Sequence, residues 1–240
     1  MLLQWYRAYF TSRFQYVQVN NSLSDVTPVL LGVPQGSILG PPLFALFIND
    51  LPSCLHFSKP YIYADDTKCM RSSASNVNFE PCPLQCDLNN LLTWSHNSEL
   101  HFNDTKFAYI SFWSEPHTIG TYYINGRPIS SVDKIKDLGI LLSSNLTWDH
   151  HYNLILGKAY KTLGLIRRTF STTLVPIKKK LYISLIRSQL LYCSQVWRPY
   201  KMKDILLLER VQRRATKYIL NDYVSSYKSR LLNLKLLPLK

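Results

Sequence analysis

The stretch Tyr61-Ile62-Tyr63-Ala64-Asp65-Asp66 places two adjacent carboxylates directly after a short run of aromatic and β-branched residues. The run predicts a β-strand, and the polar residues that follow predict a tight turn. Neighbouring strand residues point to opposite faces, so one Asp can face a site while the other braces or shares it. Paired carboxylates at a turn suit Mg²⁺, and two metals about 3.5–4 Å apart serve phosphoryl transfer. Taken alone, however, the pair favours a simpler turn in which both side chains cap backbone amides.

A second informative stretch lies upstream, at Gly32-Val33-Pro34-Gln35-Gly36-Ser37-Ile38-Leu39-Gly40-Pro41. Its three glycines and two prolines predict a loop whose backbone can approach a ligand closely. Apolar residues at near-helical spacing follow the loop and predict a helix. They are Leu43, Phe44, Phe47 and Leu51. A loop of this kind can cradle phosphate or a base edge, although it has neither Walker A nor Rossmann spacing.

Together the two stretches resemble the reverse transcriptases of non-LTR retrotransposons, particularly the jockey-like elements. Residues 32–44 are similar to their Gly-Val-Pro-Gln-Gly-Ser…Leu-Gly-Pro…Leu-Phe block, and Tyr63–Thr67 to their catalytic Tyr/Phe-Ala-Asp-Asp block. The order of the blocks and the short gap between them also match. The similarity continues through Ile48–Leu51; Leu88, Trp94, Leu100, Asn103 and Lys106; Asp137–Ile140; Leu146–His150; Leu190–Tyr192; Val196–Pro199; and Val211–Ala215.

This resemblance implies an α+β fold in two parts. Residues 1–150 would form an incomplete reverse-transcriptase palm, an antiparallel sheet with packed helices and a primer-grip region. Residues 151–240 would form a basic, mainly helical, thumb-like region. The implied activity of the complete enzyme is RNA-directed DNA synthesis with two Mg²⁺ (or Mn²⁺) ions. Its implied partners are an RNA template, a DNA primer and a dNTP.

The resemblance also assigns roles to individual residues. Asp65 is the first choice for a metal ligand and Asp66 the second. Contacts with the incoming nucleotide and the template base fall to the glycine loop. The loop residues concerned are Pro34, Gln35 and Gly36.

Three further positions carry expectations. Lys106 follows a predicted turn. By resemblance it either protonates or neutralises the pyrophosphate leaving group, and otherwise it is simply a surface lysine beside a strand. Tyr63 either packs against the primer end or belongs to the core. The segment Leu138-Gly139-Ile140 is predicted to be a strand whose glycine allows close backbone approach, and by resemblance it holds the primer terminus.

One part of the family pattern is not found. The palm of these enzymes uses a third carboxylate from an upstream strand, and no segment before Gly32 resembles that strand. Asp25 is the only acid there, in a polar cluster after a predicted strand from Phe14 to Val19, and we interpret it as a turn residue. We therefore expect a C-terminal part of a longer enzyme or a decayed copy, with poor or no polymerase activity alone. Pro42, where relatives carry an apolar residue, is tolerable in a first helical turn.

The distribution of charge separates the two parts of the chain. Residues 1–150 hold 9 Lys and Arg against 12 Asp and Glu, and residues 151–240 hold 19 against 3. This step predicts a boundary near Asp149–Tyr152 and an anionic partner for the second part.

Two amphipathic helices are predicted in the basic part, over Lys178–Cys193 and Lys203–Leu220. Their apolar stripes are Tyr182, Leu185, Ile186, Leu190 and Cys193, then Leu208, Val211, Ala215, Tyr218 and Ile219. Their outer faces are Lys178, Lys179, Lys180 and Arg187, then Arg210, Arg213, Arg214 and Lys217. Basic rows on helices can follow a phosphate backbone, although any single lysine is more simply a solvated surface charge. Trp197 and Tyr200 can stack on bases, but a core role at a helix end is preferred.

Composition excludes several classes of protein. No run of 18 uncharged apolar residues and no signal-peptide pattern occur, so neither a membrane span nor secretion is expected. Five cysteines at irregular spacing predict no disulfide-linked partner and an intracellular protein, nuclear or cytoplasmic. The rival hypothesis is a decayed or domesticated nucleic-acid-binding protein without chemistry, and a maturase-like splicing factor is a third.

Overall fold

The computed structural model describes residues 1–72, 82–112, 121–170 and 174–239. They fall into two compact units, the first comprising Met1–Phe107 and Thr121–Ile129 and the second Ala108–Gly120 and Ser130–Lys240. Helices and small sheets are mixed, which confirms the α+β class. The predicted division at residue 150 stays a prediction, and α4 begins at Asp149, where the charge changes.

The elements follow one another in a simple order. In chain order they are α1 (Leu2–Phe10), β1 (Phe14–Gln15), β2 (Gln18–Val19), β3 (Ser22–Leu23), β4 (Thr27–Pro28), α2 (Gly40–Phe47), a 3-10 segment (Ile48–Cys54), β5 (Lys59–Tyr63), β6 (Asp66–Met70), α3 (Pro83–Asn97), a 3-10 turn (Asp104–Lys106), β7 (Ala108–Tyr109), β8 (Tyr123–Ile124), β9 (Arg127–Pro128), β10 (Ser130–Ser131), β11 (Lys134–Asp137), β12 (Ile140–Ser143), α4 (Asp149–Thr169), α5 (Val175–Tyr182), a π-helical turn (Ile183–Arg187), α6 (Ser188–Leu191), α7 (Ser194–Trp197), α8 (Met202–Leu220) and α9 (Tyr227–Leu234). The described strands pair as β1–β4, β2–β3, β5–β6, β8–β9 and β11–β12, all antiparallel, and as β7–β10, which is parallel. None of the described helices is long and apolar enough to cross a bilayer.

The predicted helix after the glycine loop is confirmed as α2, which carries both Pro41 and Pro42 in its first turn. The α-helix ends at Phe47 and continues as the 3-10 segment. Pro52 explains the change, because it has no amide hydrogen to donate to the carbonyl of Ile48 one α-turn earlier. Ile48 and Leu51 are buried there beside α3.

The strand predicted from Phe14 to Val19 is interrupted. Residues Tyr16 and Val17 separate β1 from β2, so the single strand was wrong. The reason lies in Ser24, whose hydroxyl accepts a hydrogen bond from the Val17 amide at 2.8 Å while its own amide donates to the Val17 carbonyl. A side chain thus replaces the regular ladder at this point. Asp25 follows in an exposed loop, as predicted.

The core of the second unit lies between α4, α8 and the α5–α6 stretch. The apolar stripe of α8 is confirmed, since Leu208, Val211, Ala215 and Ile219 are all buried. The stripe predicted for Lys178–Cys193 is correct at Tyr182, Ile186 and Leu190 but wrong at Leu185, which is 43% exposed. The π-helical turn changes the helical phase there.

Candidate active site

The two adjacent carboxylates lie at the tip of the β5–β6 hairpin. Tyr63 pairs with Asp66, so Ala64 and Asp65 form a two-residue turn and Asp66 begins β6. The strand and the turn predicted from the sequence are both confirmed. The hairpin therefore holds both acids within one tight connection.

Both acids point away from the rest of the described chain. Asp65 and Asp66 are exposed, and the part of the chain that the structure describes gives neither carboxylate a hydrogen bond or an ion pair. The simpler interpretation, in which they cap backbone amides, therefore has no hydrogen bond to support it. Both carboxylates are accessible to an external cation.

Ala64 carries strain directly beside the pair. Its φ is +52°, a value that glycine or asparagine normally supplies in a two-residue hairpin turn. For an alanine this conformation costs about 1–2 kcal/mol. Backbone strain of this kind concentrates at functional sites, where the surrounding structure imposes it.

A buried carboxylate on α3 anchors the segment that leads into the hairpin. Asp87 is fully buried and accepts hydrogen bonds from the amides of His56 (2.8 Å), Phe57 (3.1 Å) and Ser58 (2.7 Å), and from the Ser58 hydroxyl. Burial raises the pKa of Asp87, but the hydroxyl and the three amides outweigh it and leave the pKa below its usual value. Asp87 thus fixes the start of β5. Sequence reasoning missed it, although an acid beside Leu88 on the apolar side of α3 is a detectable signal.

Asp50, in the Ile48–Leu51 block, also has a structural role. One of its carboxylate oxygens accepts a hydrogen bond from the Trp94 indole at 3.0 Å. Trp94 is buried, and its ring meets Phe47 edge-on. The contact therefore fastens the segment after α2 to α3.

The glycine loop is held by side chains of the N-terminal segment. Arg13 donates to the Gly32 carbonyl at 2.7 Å, and the Tyr9 and Ser37 hydroxyls share a hydrogen bond of 2.7 Å. Ser37 also accepts from the Gly40 amide at 3.0 Å, which closes the loop onto the start of α2. Arg13 and Ser37 were not among the predicted site residues. These contacts fix the loop's base.

The predicted nucleotide contacts lie at the outer part of this loop. Gln35 and Gly36 are exposed, and Pro34 is half-buried. Gly36 has a φ of +81°, which a residue with a Cβ adopts only with strain. The backbone of this turn and the side chain of Gln35 are therefore open to a ligand.

Lys106 and Tyr63 both face solvent. Lys106 ends a 3-10 turn that Asn103 caps by accepting from the Thr105 amide at 3.1 Å, so the predicted turn is confirmed. Tyr63 is 66% exposed, which removes the core alternative for this ring. Both side chains are free of hydrogen bonds within the described ranges.

The predicted residues are divided between the two units. Tyr63, Asp65, Asp66, Lys106 and the glycine loop belong to the first, whereas Leu138, Gly139 and the basic helices belong to the second. Within the described residues, no three His, Cys, Asp or Glu side chains come together as a metal-binding group.

The segment around Gly139 is a turn and not a strand, so that prediction was wrong. Leu138 (φ +44°) and Gly139 (φ +89°) connect β11 to β12, and two successive positive φ angles belong to a hairpin turn. The glycine was expected to let another group come close to the backbone, and the group that lies there is the Tyr192 ring of the same chain. A Cβ on Gly139 would lie 3.2 Å from the Tyr192 ring, and the Tyr192 hydroxyl donates to the Leu138 carbonyl at 2.9 Å.

The basic face of α8 is only partly a free surface. Arg210, Arg213 and Arg214 are exposed and Lys217 is half-buried. The Arg213 guanidinium lies 4.6 Å from the centre of the Tyr227 ring, and that of Arg214 lies 5.8 Å from the Tyr160 ring. Tyrosine rings thus hold these two cations in place.

Predictions were also made for three other residues of the basic part, Lys178, Trp197 and Tyr200. Lys178, assigned to the outer face, is instead only 9% exposed, because it packs over the Tyr218 ring. Trp197 is 1% exposed, which confirms its core role, whereas Tyr200 is 80% exposed and is no core residue.

Comparison with known proteins adds independent information. Residues 2–142 match the family model described as "Reverse transcriptase (RNA-dependent DNA polymerase)". The chain is 30% identical over 163 residues to the RNA-directed DNA polymerase from mobile element jockey of Drosophila melanogaster, covering 65% of this chain and 18% of the relative. It is 28% identical over 225 residues to the probable RNA-directed DNA polymerase from transposon BS of the same species, covering 89% and 25%.

A third relative is the probable RNA-directed DNA polymerase from transposon X-element of Drosophila melanogaster, 24% identical over 227 residues, covering 89% of this chain and 24% of the relative. The chain therefore spans about a quarter or less of the length of these curated relatives. No solved structure matches significantly.

Proposed function

The chain belongs to the reverse transcriptase family, and from this membership we propose that the β5–β6 turn supplies two metal-binding carboxylates for DNA synthesis on an RNA template. One observation carries the proposal. Asp65 and Asp66 stand exposed at a strained two-residue turn, and neither carboxylate has a hydrogen bond or an ion pair among the described residues. Unpaired carboxylates beside a backbone outlier are typical of a site whose ligand comes from outside the chain.

The donor set suits a divalent cation. Adjacent carboxylates provide hard oxygen ligands of the kind that Mg²⁺ and Mn²⁺ prefer. Bound there, two such ions supply the charge stabilisation on which phosphoryl transfer depends. Since no third side chain joins the pair among the described residues, we propose that this polypeptide polymerises poorly or not at all alone.

The other predicted residues would position the substrates. We assign the incoming dNTP to Pro34, Gln35 and Gly36. The backbone of this turn is open, and Arg13 and Ser37 hold the two ends of the loop in place. Lys106 would neutralise or protonate the pyrophosphate group.

The primer has a separate set of proposed contacts. Tyr63, exposed beside the acids, would contact the primer end. Leu138 and Gly139 would hold the primer terminus through their turn. Arg210, Arg213, Arg214 and Lys217 would lie along the phosphate backbone of the template–primer duplex.

A metal-binding measurement tests the proposal without requiring activity. Titration of the 240-residue chain with Mn²⁺, followed by electron paramagnetic resonance, is expected to show binding that Asp65→Asn weakens several-fold and Asp66→Asn weakens less. Asp25→Asn is the matched control, because Asp25 is also an exposed acid after a short strand. Equal Mn²⁺ affinity in wild type and Asp65→Asn would contradict the proposal.

The charge of residues 151–240 supports a second candidate, nucleic-acid binding without chemistry. That candidate predicts salt-dependent duplex binding that Asp65→Asn leaves unchanged, with no primer extension on an RNA template. Metal-dependent primer extension that Asp65→Asn abolishes would exclude it, and would also refute the proposed inactivity of the isolated chain.

A further inference from the structure

Three helices of the second unit bring cations together around two tyrosine rings. Lys178 of α5 and Arg167 of α4 approach the Tyr218 ring of α8, with Nζ and Cζ at 4.7 and 5.7 Å from its centre. Arg214 of α8 lies over the Tyr160 ring of α4. Arg167 and Arg214 also line one small surface cavity of about 70 Å³, together with Tyr160, Leu163 and Gly164. We call these residues the cation–tyrosine cluster: Tyr160, Gly164, Arg167, Lys178, Arg214 and Tyr218.

The buried lysine is the unusual member of this cluster. Lys178 is more than nine-tenths buried, yet the described residues give its ammonium group no hydrogen bond or ion pair. The ammonium nitrogen is not among the buried polar atoms that lack a partner in the described residues, so it keeps contact with solvent beside the Tyr218 ring. An external anion can therefore reach it.

Among the described residues, no acid of residues 151–240 forms an ion pair with a cation of the cluster. Residues 151–240 contain only Asp204, Glu209 and Asp222. Glu209 accepts from the Tyr227 hydroxyl and the Leu239 amide, and Asp222 accepts from the Val224 and Ser225 amides. Asp204 is buried in the first turn of α8. The positive charge of the cluster therefore remains open to an external anion.

Gly164 leaves space for that anion. A Cβ built on this residue meets no atom within 4 Å, so the backbone of α4 is open at the cavity. An interior helical glycine is less stable than alanine by about 1 kcal/mol. The sequence thus keeps a destabilising residue at the point where a ligand would approach the helix.

We propose that the cation–tyrosine cluster binds a phosphodiester group of a nucleic-acid backbone. The cluster adjoins the row of Arg210, Arg214 and Lys217, which extends for about 10 Å along α8 at 1.5 Å per residue. A row of cations suits a polymer of phosphates better than a single anionic group. The proposal rests on the nucleic-acid partner of the proposed function and adds Arg167, Lys178 and the two rings to its contacts.

Binding of a labelled RNA–DNA duplex, measured by fluorescence anisotropy in the absence of divalent metal, tests this site. Arg167→Gln and Lys178→Met are each expected to weaken binding several-fold and to lower the slope of log K against log[salt] by about one, between about 50 and 200 mM salt. Lys178→Met retains the aliphatic stem, so that packing is largely kept. Circular dichroism checks that both variants are folded.

A neighbouring residue provides a charge-matched control. Arg168→Gln removes the same charge from an exposed position of α4 and should change affinity less than twofold. If Arg168→Gln weakens duplex binding as much as Arg167→Gln, the loss of affinity reflects the overall positive charge of the surface, and the proposed site is wrong. Preferential binding to phosphatidylserine vesicles over the duplex would equally overturn it.

Tyr218 allows a sharper comparison. Its hydroxyl is buried without a hydrogen-bond partner in the described residues, so Tyr218→Phe keeps the ring that orders the two cations and should bind normally. Tyr218→Leu removes the ring face and should weaken binding as the cation variants do. Equal duplex affinity of Tyr218→Phe and Tyr218→Leu would contradict the proposed role of the Tyr218 ring.

The duplex-binding test of this site and the Mn²⁺-binding test of the proposed function can fail independently. Asp65→Asn should leave duplex affinity unchanged, because this site does not use the metal ligands. Equal Mn²⁺ affinity in wild type and Asp65→Asn would therefore refute the polymerase proposal alone. Normal duplex binding by Arg167→Gln and Lys178→Met would refute the proposed phosphodiester site alone.

Discussion

Ala64 and Gly139 show how single residues define the two hairpin turns of interest. Ala64 adopts a positive φ directly before Asp65, and Gly139 does so directly before β12. Only the second is a glycine, and its missing Cβ is what admits the Tyr192 ring. Both turns contain a non-glycine residue with a positive φ, Ala64 and Leu138, but the first lies beside open carboxylates and the second is packed against its own chain.

His151 is a buried histidine whose protonation state is set by its surroundings. Its Nδ1 accepts a hydrogen bond from the Leu141 amide at 3.2 Å, which assigns the proton of the neutral ring to Nε2. Nε2 is buried without a partner in the described residues, and the ring packs against Trp197. Burial lowers the pKa of His151, and the charge of Lys158 lowers it further.

We expect the stability of the chain to fall in mild acid because of His151. With a folded pKa below the unfolded value near 6.5, the unfolded chain binds the proton more readily, so the free energy of unfolding decreases as the pH drops below that value. Urea unfolding at neutral pH and in mild acid measures the change. His151→Gln should remove much of this pH dependence, and His150→Gln, an exposed neighbour, should retain it.

Among the elements, α3 organises the first unit through two polar contacts. Asp87 binds the three amides that precede β5, and Trp94 binds Asp50. Both contacts connect segments that are distant in sequence. The position of the hairpin that carries Asp65 and Asp66 therefore depends on a helix that contributes no candidate catalytic residue.

Asp87→Ala is expected to destabilise the protein strongly. It leaves three backbone amides without their acceptor, and each unsatisfied buried donor costs about 1–3 kcal/mol. Urea unfolding should show a loss of at least about 3 kcal/mol, with a smaller loss for Asp87→Asn, which keeps one acceptor oxygen. Asp25→Ala serves as the control, and a loss below that of Asp25→Ala would refute the anchoring role.

At the scale of the whole molecule, charge distinguishes the two parts of the chain. The net charge is +13, and it arises entirely from residues 151–240. Among the described residues, the one ion pair of this part joins Lys203 to Asp149 at 3.3 Å, so most of its cations have no acidic partner there. The compact state of this part is therefore opposed by self-repulsion.

Salt should consequently stabilise the isolated chain. Raising the ionic strength from about 0.01 to 0.15 M shortens the Debye length from about 30 to 8 Å, so repulsion between the basic helices is screened. We expect Tm to rise by about 2–4 °C, equivalent to about 1 kcal/mol for a chain of this size. Differential scanning fluorimetry in KCl measures it, and a fall in Tm would show that attractive ion pairs dominate instead.

Features that depend on local chemistry follow from the sequence alone. The aromatic and β-branched residues before Ala64-Asp65 predicted the strand and the tight turn, and apolar residues at near-helical spacing after the glycine loop predicted α2. Helical periodicity likewise predicted the buried stripe of α8. In each case the residues that decide the structure lie within a few positions of one another, so pattern and turn propensity suffice.

The remaining features depend on packing between residues that are distant in the sequence. Lys178 is buried because Tyr218 lies 40 residues later in the chain but packs over its ammonium group. Gly139 meets Tyr192, and Asp87 binds the amides before β5, through contacts of the same long range. Such partners are set by how helices and turns pack together, and no local pattern in the sequence encodes which distant residue will fill a given space.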